Sequence, residues 1–202
     1  MLPLWETLRT GYVANIELKL LRNYFKGNSD SMAIDVGVGT GRFIETMHNT
    51  GIIGIDVSTH MLNICKKRHD NIQLIRAEAR YLPFVDNTFD KILLMRLLPH
   101  IPDGHKAVCE SFRIMKPNGK MVFDVVNHKS LTTIISSIMN RTLQFHREDE
   151  LLKKTMILQR KHEYFNFPAI LYRFMPKFLC KIIDAKIILP CRTFYFISKK
   201  NV

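Results

Sequence analysis

The stretch AIDVGVGTGRF, residues 33–43, restricts the folds open to this chain more than any other segment. Its apolar start reads as a strand buried on both faces, and glycines follow at 37, 39 and 41. Glycine is required where the backbone takes positive φ or where a ligand lies against bare main chain. A buried strand handing over through such a turn to a helix beginning near Arg42 belongs to a sheet whose ligands gather at the carboxyl ends of its strands. A nucleotide-like ligand is the natural occupant. The dinucleotide pattern G-x-G-x-x-G fits badly because position 42 is Arg, and a phosphate-binding P-loop fails because no Gly-Lys-Ser/Thr follows.

The remaining apolar runs agree with such a sheet. They fall at 32–36, 52–55, 72–75, 89–95 and 121–126, and the segments between them could each hold a helix, which predicts parallel strands joined by crossovers. Upstream, residues 5–26 read as helical, with Leu18, Leu21 and Phe25 on one stripe. The last third suggests helices near 130–142 and 168–180, a polar segment at 160–167, and apolar runs at 182–189 and 192–198. Only Pro190 and Cys191 separate those two runs, too little chain for a parallel crossover, so the final strand is expected antiparallel to its predecessor. The expected architecture is α/β: a doubly wound, Rossmann-like, seven-stranded sheet, mostly parallel with an antiparallel last strand. It forms one domain over 1–202, with an N-terminal helical segment at 1–30 and a distinct region at 128–180.

Composition limits the function classes. Hydrophobic residues make up 47% and charged residues 24%, the profile of a folded globular chain. No run approaches the roughly 18 apolar residues of a membrane span, and the N-terminus lacks a secretory pattern, so a soluble, cytoplasmic protein is expected. Cys65, Cys109, Cys180 and Cys191 are scattered and read as reduced thiols. His100, His105 and Cys109 stand at helix-like spacing, but no fourth ligand accompanies them and no metal site is expected. The net charge of +12 is concentrated at the end of the chain, where residues 141–202 carry 13 Lys and Arg against 5 Asp and Glu. Such a region suits nucleic acid, an anionic membrane surface, an acidic small molecule, or simply a solvated face.

Two acids sharpen the ligand. Asp35 ends a buried strand, where an unpartnered carboxylate is costly, so it needs a cationic or hydrogen-bonding partner. Asp56 comes 19 residues after Gly37, at the end of the second strand, from where a carboxylate can accept both hydroxyls of a ribose. An acid on the ribose with no basic residue for a pyrophosphate describes an adenosine without phosphates, and S-adenosylmethionine meets that description.

With these residues in place the chain resembles the class I S-adenosylmethionine-dependent methyltransferases, in the broad group that includes the ubiquinone and menaquinone biosynthesis methyltransferases. The resemblance spans nearly the whole length. Asp35-Val-Gly37-Val-Gly39-Thr-Gly41 is similar to the family's first motif, in which the glycines make room for the methionine part of the cofactor and the acid helps fix its ammonium. The resemblance implies that Asp56 binds the ribose and that Met61, five residues on, covers the adenine. Glu78-Ala79-Arg80-Tyr81-Leu82-Pro83-Phe84 resembles D-A-x-x-L-P-F, which implies an adenine contact through Glu78 and the Ala79 amide, with Glu in place of the usual Asp. Phe89 to Met95 is similar to the fourth strand, which implies Met95 beside the sulfonium. His100-Ile-Pro-Asp103 and Lys116-Pro-Asn-Gly119 resemble the family's H-L-P-D and K-P-G-G segments.

Methyl transfer from such a cofactor is an in-line displacement, so the protein chiefly aligns the acceptor and excludes water. His100, following the fourth strand, is the candidate base if the acceptor needs one, with a helix-capping or supporting role as the alternative. Arg96 is a candidate for an anionic acceptor, with a surface salt bridge as the alternative. Tyr12 and Tyr164 stand in the two regions expected to recognise the acceptor, beside Trp5, Phe145, His146, Phe165, Phe167 and Tyr172. The sequence Leu97-Leu98-Pro99-His100 departs from the [DNS]-P-P-[YFW] of enzymes that methylate amino groups of bases, and Cys191 lies too far from the site for a nucleophile. Three readings follow: a small-molecule methyltransferase, an RNA methyltransferase acting for instance on a tRNA wobble uridine side chain, and a non-catalytic cofactor-binding subunit.

Overall fold

Parallel strands, short connections and two apolar layers account for the architecture in a computed structural model that describes residues 11–27, 30–47, 51–126, 158–164 and 192–199. Helix α1 covers Gly11–Phe25 and is followed by strands β1 (Ala33–Val36) and β2 (Ile52–Asp56). Helix α2 (Thr59–Arg68) leads to β3 (Gln73–Arg76) and β4 (Phe89–Leu94), and α3 (Gly104–Ile114) leads directly into β5 (Met115–Val126). The last two strands are β6 (Leu158–Tyr164) and β7 (Arg192–Ser198). Among the described residues the sheet has seven strands in the order β3-β2-β1-β4-β5-β7-β6. Strands β1 to β5 pair in parallel, whereas β7 is antiparallel to both β5 and β6.

The period of two along each strand divides the core between the sheet's faces. Ala33, Leu93 and Val122 pack with Leu21 and Phe25 of α1 and with Leu62 and Cys65 of α2. Ile34, Val36, Ile92, Leu94 and Phe123 face the other way, against Ala107, Val108 and Ile114 of α3. Each fully buried large aliphatic side chain contributes about 1.5–3 kcal/mol, so both layers are needed to hold a sheet that would otherwise expose a face. Asp35 and Asp124 fall on the same alternation as Ala33 and Val122, which turns both acids toward the α1 layer.

The structure departs from the expected elements in three places. The segment after Gly41 forms turns and one 3-10 turn at Ile44–Thr46 rather than a helix from Arg42. Only nine residues separate Gly41 from Gly51, and they must return the chain to the start of a parallel neighbour. A 3-10 turn, rising about 2.0 Å per residue, covers more ground than an α-helix. Residues 77–88, between β3 and β4, hold turns and no helix. Among the described residues the strand before the last is β6, which overlaps the segment read as polar. Its register with β7 runs from Leu158 to Tyr164, and β5 pairs with the other edge of β7; the run 182–189 lies outside the described residues. An edge strand is held by main-chain pairing to one neighbour, which does not require apolar side chains. The helices expected near 130–142 and 168–180, and Trp5, Phe145, His146, Phe165, Phe167 and Tyr172, lie outside the described residues.

Candidate cofactor site

The strand order reverses between β1 and β4: the chain runs outward through β2 and β3 on one side and through β5 on the other. Connections leaving β1 and β4 therefore diverge and open a crevice at their carboxyl ends, where ligands bind in open α/β sheets. Every cofactor-binding residue expected from the sequence follows or ends one of β1 to β4, except Met61 at the start of α2 and Asp35 one residue before the end of β1.

The glycine turn is held by its own sheet. The amides of Gly37 and Val38 donate to the Ile55 carbonyl at 2.9 and 2.8 Å, and the Gly41 amide donates to Val38 at 2.9 Å. All three glycines have positive φ, +78° at Gly37, +53° at Gly39 and +80° at Gly41. Their surroundings differ. A Cβ at Gly37 would stand 2.8 Å from Leu97 Cδ1, and one at Gly41 would stand 2.6 Å from His69 Cδ2 and 2.7 Å from Cys65 Sγ. Among the described residues, a Cβ at Gly39 would meet nothing within 4 Å. Protein therefore occupies the space beside two of the glycines, and Gly39 presents bare backbone to open space.

Asp56 ties this turn to β2. Its Oδ2 accepts from the Gly39 amide and its Oδ1 from the Ser58 amide, each at 2.9 Å. Ser58 then caps α2 by accepting from the Met61 amide at 3.3 Å, which fixes Met61 in the first helical turn beside the crevice. Asp35 is 2% exposed, and burial followed by the neighbouring Asp56 charge pushes its carboxyl up to about 8. Burial is also the main cause that pushes the Cys65 thiol, under Gly41, up to about 11.

The loop after β3 carries Glu78 and Ala79. Glu78 Oε1 accepts from Arg80 Nε at 3.1 Å, and that hydrogen bond holds the Glu78 carboxyl below its ordinary range. Ala79 is buried. Two residues of α3 fasten the loop: Glu110 accepts from the Leu82 amide at 3.0 Å, and Arg113 donates to the carbonyls of Phe84 at 2.8 Å and Leu82 at 3.1 Å. Arg113 also pairs with Asp86 and Glu110, each at 2.8 Å.

Met95 is 3% exposed at the end of β4. Arg96 follows it with φ of +63°, a conformation L-residues seldom adopt, and its amide donates to Asp124 Oδ1 at 2.6 Å. Its guanidinium pairs with Glu17 of α1 and stands 3.9 Å from Asp124 Oδ2. The Arg96 charge thus faces two buried carboxylates, so its salt bridge lies in the interior and not at the surface as the sequence alternative had it. His100 ends the 3-10 turn Leu98–His100 and is exposed. Tyr12 lies in α1 and Tyr164 ends β6, but their side chains lie outside the described residues.

Glu17, Asp124, Glu110 and Arg113 were not singled out by the sequence. A signal existed for the first two: Glu17 shares the stripe of Leu21 and Phe25 at four-residue spacing, and Asp124 interrupts the apolar run of β5. A charge on a core face requires a partner.

Known proteins resemble this chain in sequence and in fold. A family described as a methyltransferase domain matches residues 34–123, from β1 into β5. An uncharacterized protein of Methanocaldococcus jannaschii is 34% identical over 172 residues, 83% of this chain and 73% of that protein. The demethylmenaquinone methyltransferase of Renibacterium salmoninarum is 32% identical over 115 residues, 54% of this chain; the chain spans about half of that relative, 48%. Among solved structures, an S-adenosylmethionine-dependent methyltransferase from Mesorhizobium loti superposes with a TM-score of 0.72 at 15% identity, covering 94% of this chain and all of that one.

Proposed function

Since the chain belongs to the class I S-adenosylmethionine-dependent methyltransferases, we propose that its acceptor is a small, flat or lipid-like molecule rather than a macromolecule. The similarity to demethylmenaquinone methyltransferase over the motif-bearing half supports this reading.

The residues fit the cofactor. Open space at Gly39 is a cradle that a Cβ would partly fill, and the buried Asp35 carboxyl, raised by burial and by the Asp56 charge, would be favoured in its ionised form by a neighbouring cation. In this reading Asp35 receives the ammonium, Gly37, Gly39 and Gly41 leave the methionine its room, and Asp56 accepts from the ribose through lone pairs its amide partners leave open. Met61 covers the adenine while Glu78 and the Ala79 amide meet its edge, and Met95 borders the sulfonium. When bound, the cofactor supplies a methyl group on positively charged sulfur.

The protein's own work is then alignment and exclusion of water. His100 is assigned the role of taking a proton from an acceptor hydroxyl or acidic carbon; its exposure at the end of its 3-10 turn, after β4, supports this assignment. Tyr12 and Tyr164 are assigned to acceptor binding because α1 and the region 128–180 are the parts outside the matched core. The domain organisation proposed is a single domain over 1–202.

The observation carrying this reading is the Asp56–Gly39 bond beside an open glycine face. Calorimetry with S-adenosylmethionine tests it first, and tritiated methyl transfer into fractionated cell extract then identifies the acceptor. The excess of 13 basic over 5 acidic residues in 141–202 favours RNA as the second reading. Label appearing in tRNA, with binding that weakens steeply as salt rises, would replace the small-molecule assignment.

A further inference from the structure

We propose that Glu17 is a positioning residue that couples the docking of α1 to the methionine end of the cofactor site. The proposal rests on the cofactor reading above and goes beyond it in giving the N-terminal helix a part in cofactor affinity.

Glu17 is the sole acid of α1 and is fully buried. Its Oε2 pairs with Arg42 Nη2 at 2.7 Å, and its Oε1 accepts from Arg96. These two arginines are not neighbours in sequence. Arg42 directly follows Gly41, the last residue of the glycine turn, and Arg96 directly follows Met95 at the end of β4. One carboxylate thus joins the two backbone segments that flank the crevice between β1 and β4.

The network is balanced: Asp124, also fully buried, supplies the second negative charge beside Arg96 and holds its amide. Arg42 stacks over Phe43 at 4.6 Å, which limits where its guanidinium can go. Removing one partner of a buried charged group leaves the others uncompensated, so the arrangement has few intermediate states. Arg96 holds a left-handed backbone, and such strain persists only where surrounding contacts enforce it. Glu17 is one of those contacts, and it comes from an element outside the sheet. Seating α1 therefore sets the backbone at Met95 and Gly41, and by linkage a cofactor resting against that backbone must stabilise the seating of α1.

Hydrogen exchange of the α1 amides, with and without S-adenosylhomocysteine, tests the coupling in the wild-type protein and in Glu17→Gln. Saturating S-adenosylhomocysteine is expected to slow exchange across Gly11–Phe25 in the wild type by about tenfold, within the usual range of coupling between sites. In Glu17→Gln its Kd should rise about tenfold and α1 exchange should no longer respond to it, with Glu17→Asp between the two. A merely structural ion pair would lower stability without altering the Kd of the folded protein or the response of α1. Unchanged α1 exchange in the liganded wild type overturns the proposal even if Glu17→Gln does not fold, as does a folded Glu17→Gln with wild-type Kd. A wild-type protein that binds neither S-adenosylmethionine nor S-adenosylhomocysteine overturns the cofactor reading itself, before any variant is made.

Discussion

The Gly39 amide donates to Asp56 Oδ2 at 2.9 Å, across 17 residues of chain, so the end of β2 fixes the turn that leaves β1. The two features from which an adenosyl ligand was inferred are therefore one unit. Asp56 shapes the glycine turn and the start of α2 through one lone pair of each carboxylate oxygen.

Replacing Asp56 tests both roles together. Asp56→Ala leaves the Gly39 and Ser58 amides without their acceptor and is expected to lower stability by about 1–3 kcal/mol. Affinity for S-adenosylmethionine should fall about 100-fold or more, through lost ribose acceptors and a loosened turn. Asp56→Asn keeps one acceptor oxygen but opposes an amide with an amide, so it should lie between. Thermal denaturation and calorimetry read the two effects separately.

The glycines should divide by what lies beside them. Gly39→Ala pays the left-handed backbone cost of about 1–2 kcal/mol and directs its methyl into open space, so cofactor affinity should fall further than stability. Gly37→Ala meets Leu97 as well, and its larger loss should be in melting temperature. Gly51→Ala, with no described residue within 4 Å of its Cβ and no positive φ, should leave both nearly unchanged.

Asp35 makes the cofactor-free protein sensitive to pH in a defined direction. Its folded pKa of about 8 lies above the ordinary 3.8, so between those values the folded state keeps a proton that the unfolded chain has lost. Stability contributed by this group is therefore full below about pH 4, falls as pH rises toward 8, and levels off above. Asp35→Asn should flatten that slope and melt higher than wild type at pH 8, while binding S-adenosylmethionine more weakly. Wild-type binding at pH 7 should release close to one proton, measurable by calorimetry in two buffers of different ionisation enthalpy.

Arg113 should act on the adenine side without touching the ligand. Arg113→Gln removes donors to the Leu82 and Phe84 carbonyls and frees Asp86 and Glu110. The loop after β3 then loses its attachment to α3, and Kd for S-adenosylmethionine should rise about tenfold, or roughly 1.4 kcal/mol. Proteolysis between Glu78 and Thr88 should accelerate, and saturating cofactor should slow it again.

Legibility differed between regions for physical reasons. The parallel half was readable because strands buried on both faces must be short apolar runs, as at Ala33–Val36 and Phe89–Leu94. Strand β6 was not readable, since an edge strand such as Leu158–Tyr164 is held by main-chain bonds to β7, which its side chains do not announce. Arg96 shows the same limit at the site. Its sequence position suggested an acceptor contact or a surface salt bridge, and its ion-pair partner is the buried Glu17, 79 residues away.

By itself the sequence determined the fold class, the glycine turn and the acids around it, because local backbone requirements and strand periodicity are written in neighbouring residues. Only the tertiary structure decided which glycine faces open space, that Asp56 holds the turn, and that Glu17 ties Arg42 to Arg96. Those relationships arise from the strand order β1-β4-β5 and the seating of α1, which bring together charges whose mutual neutralisation no local pattern encodes.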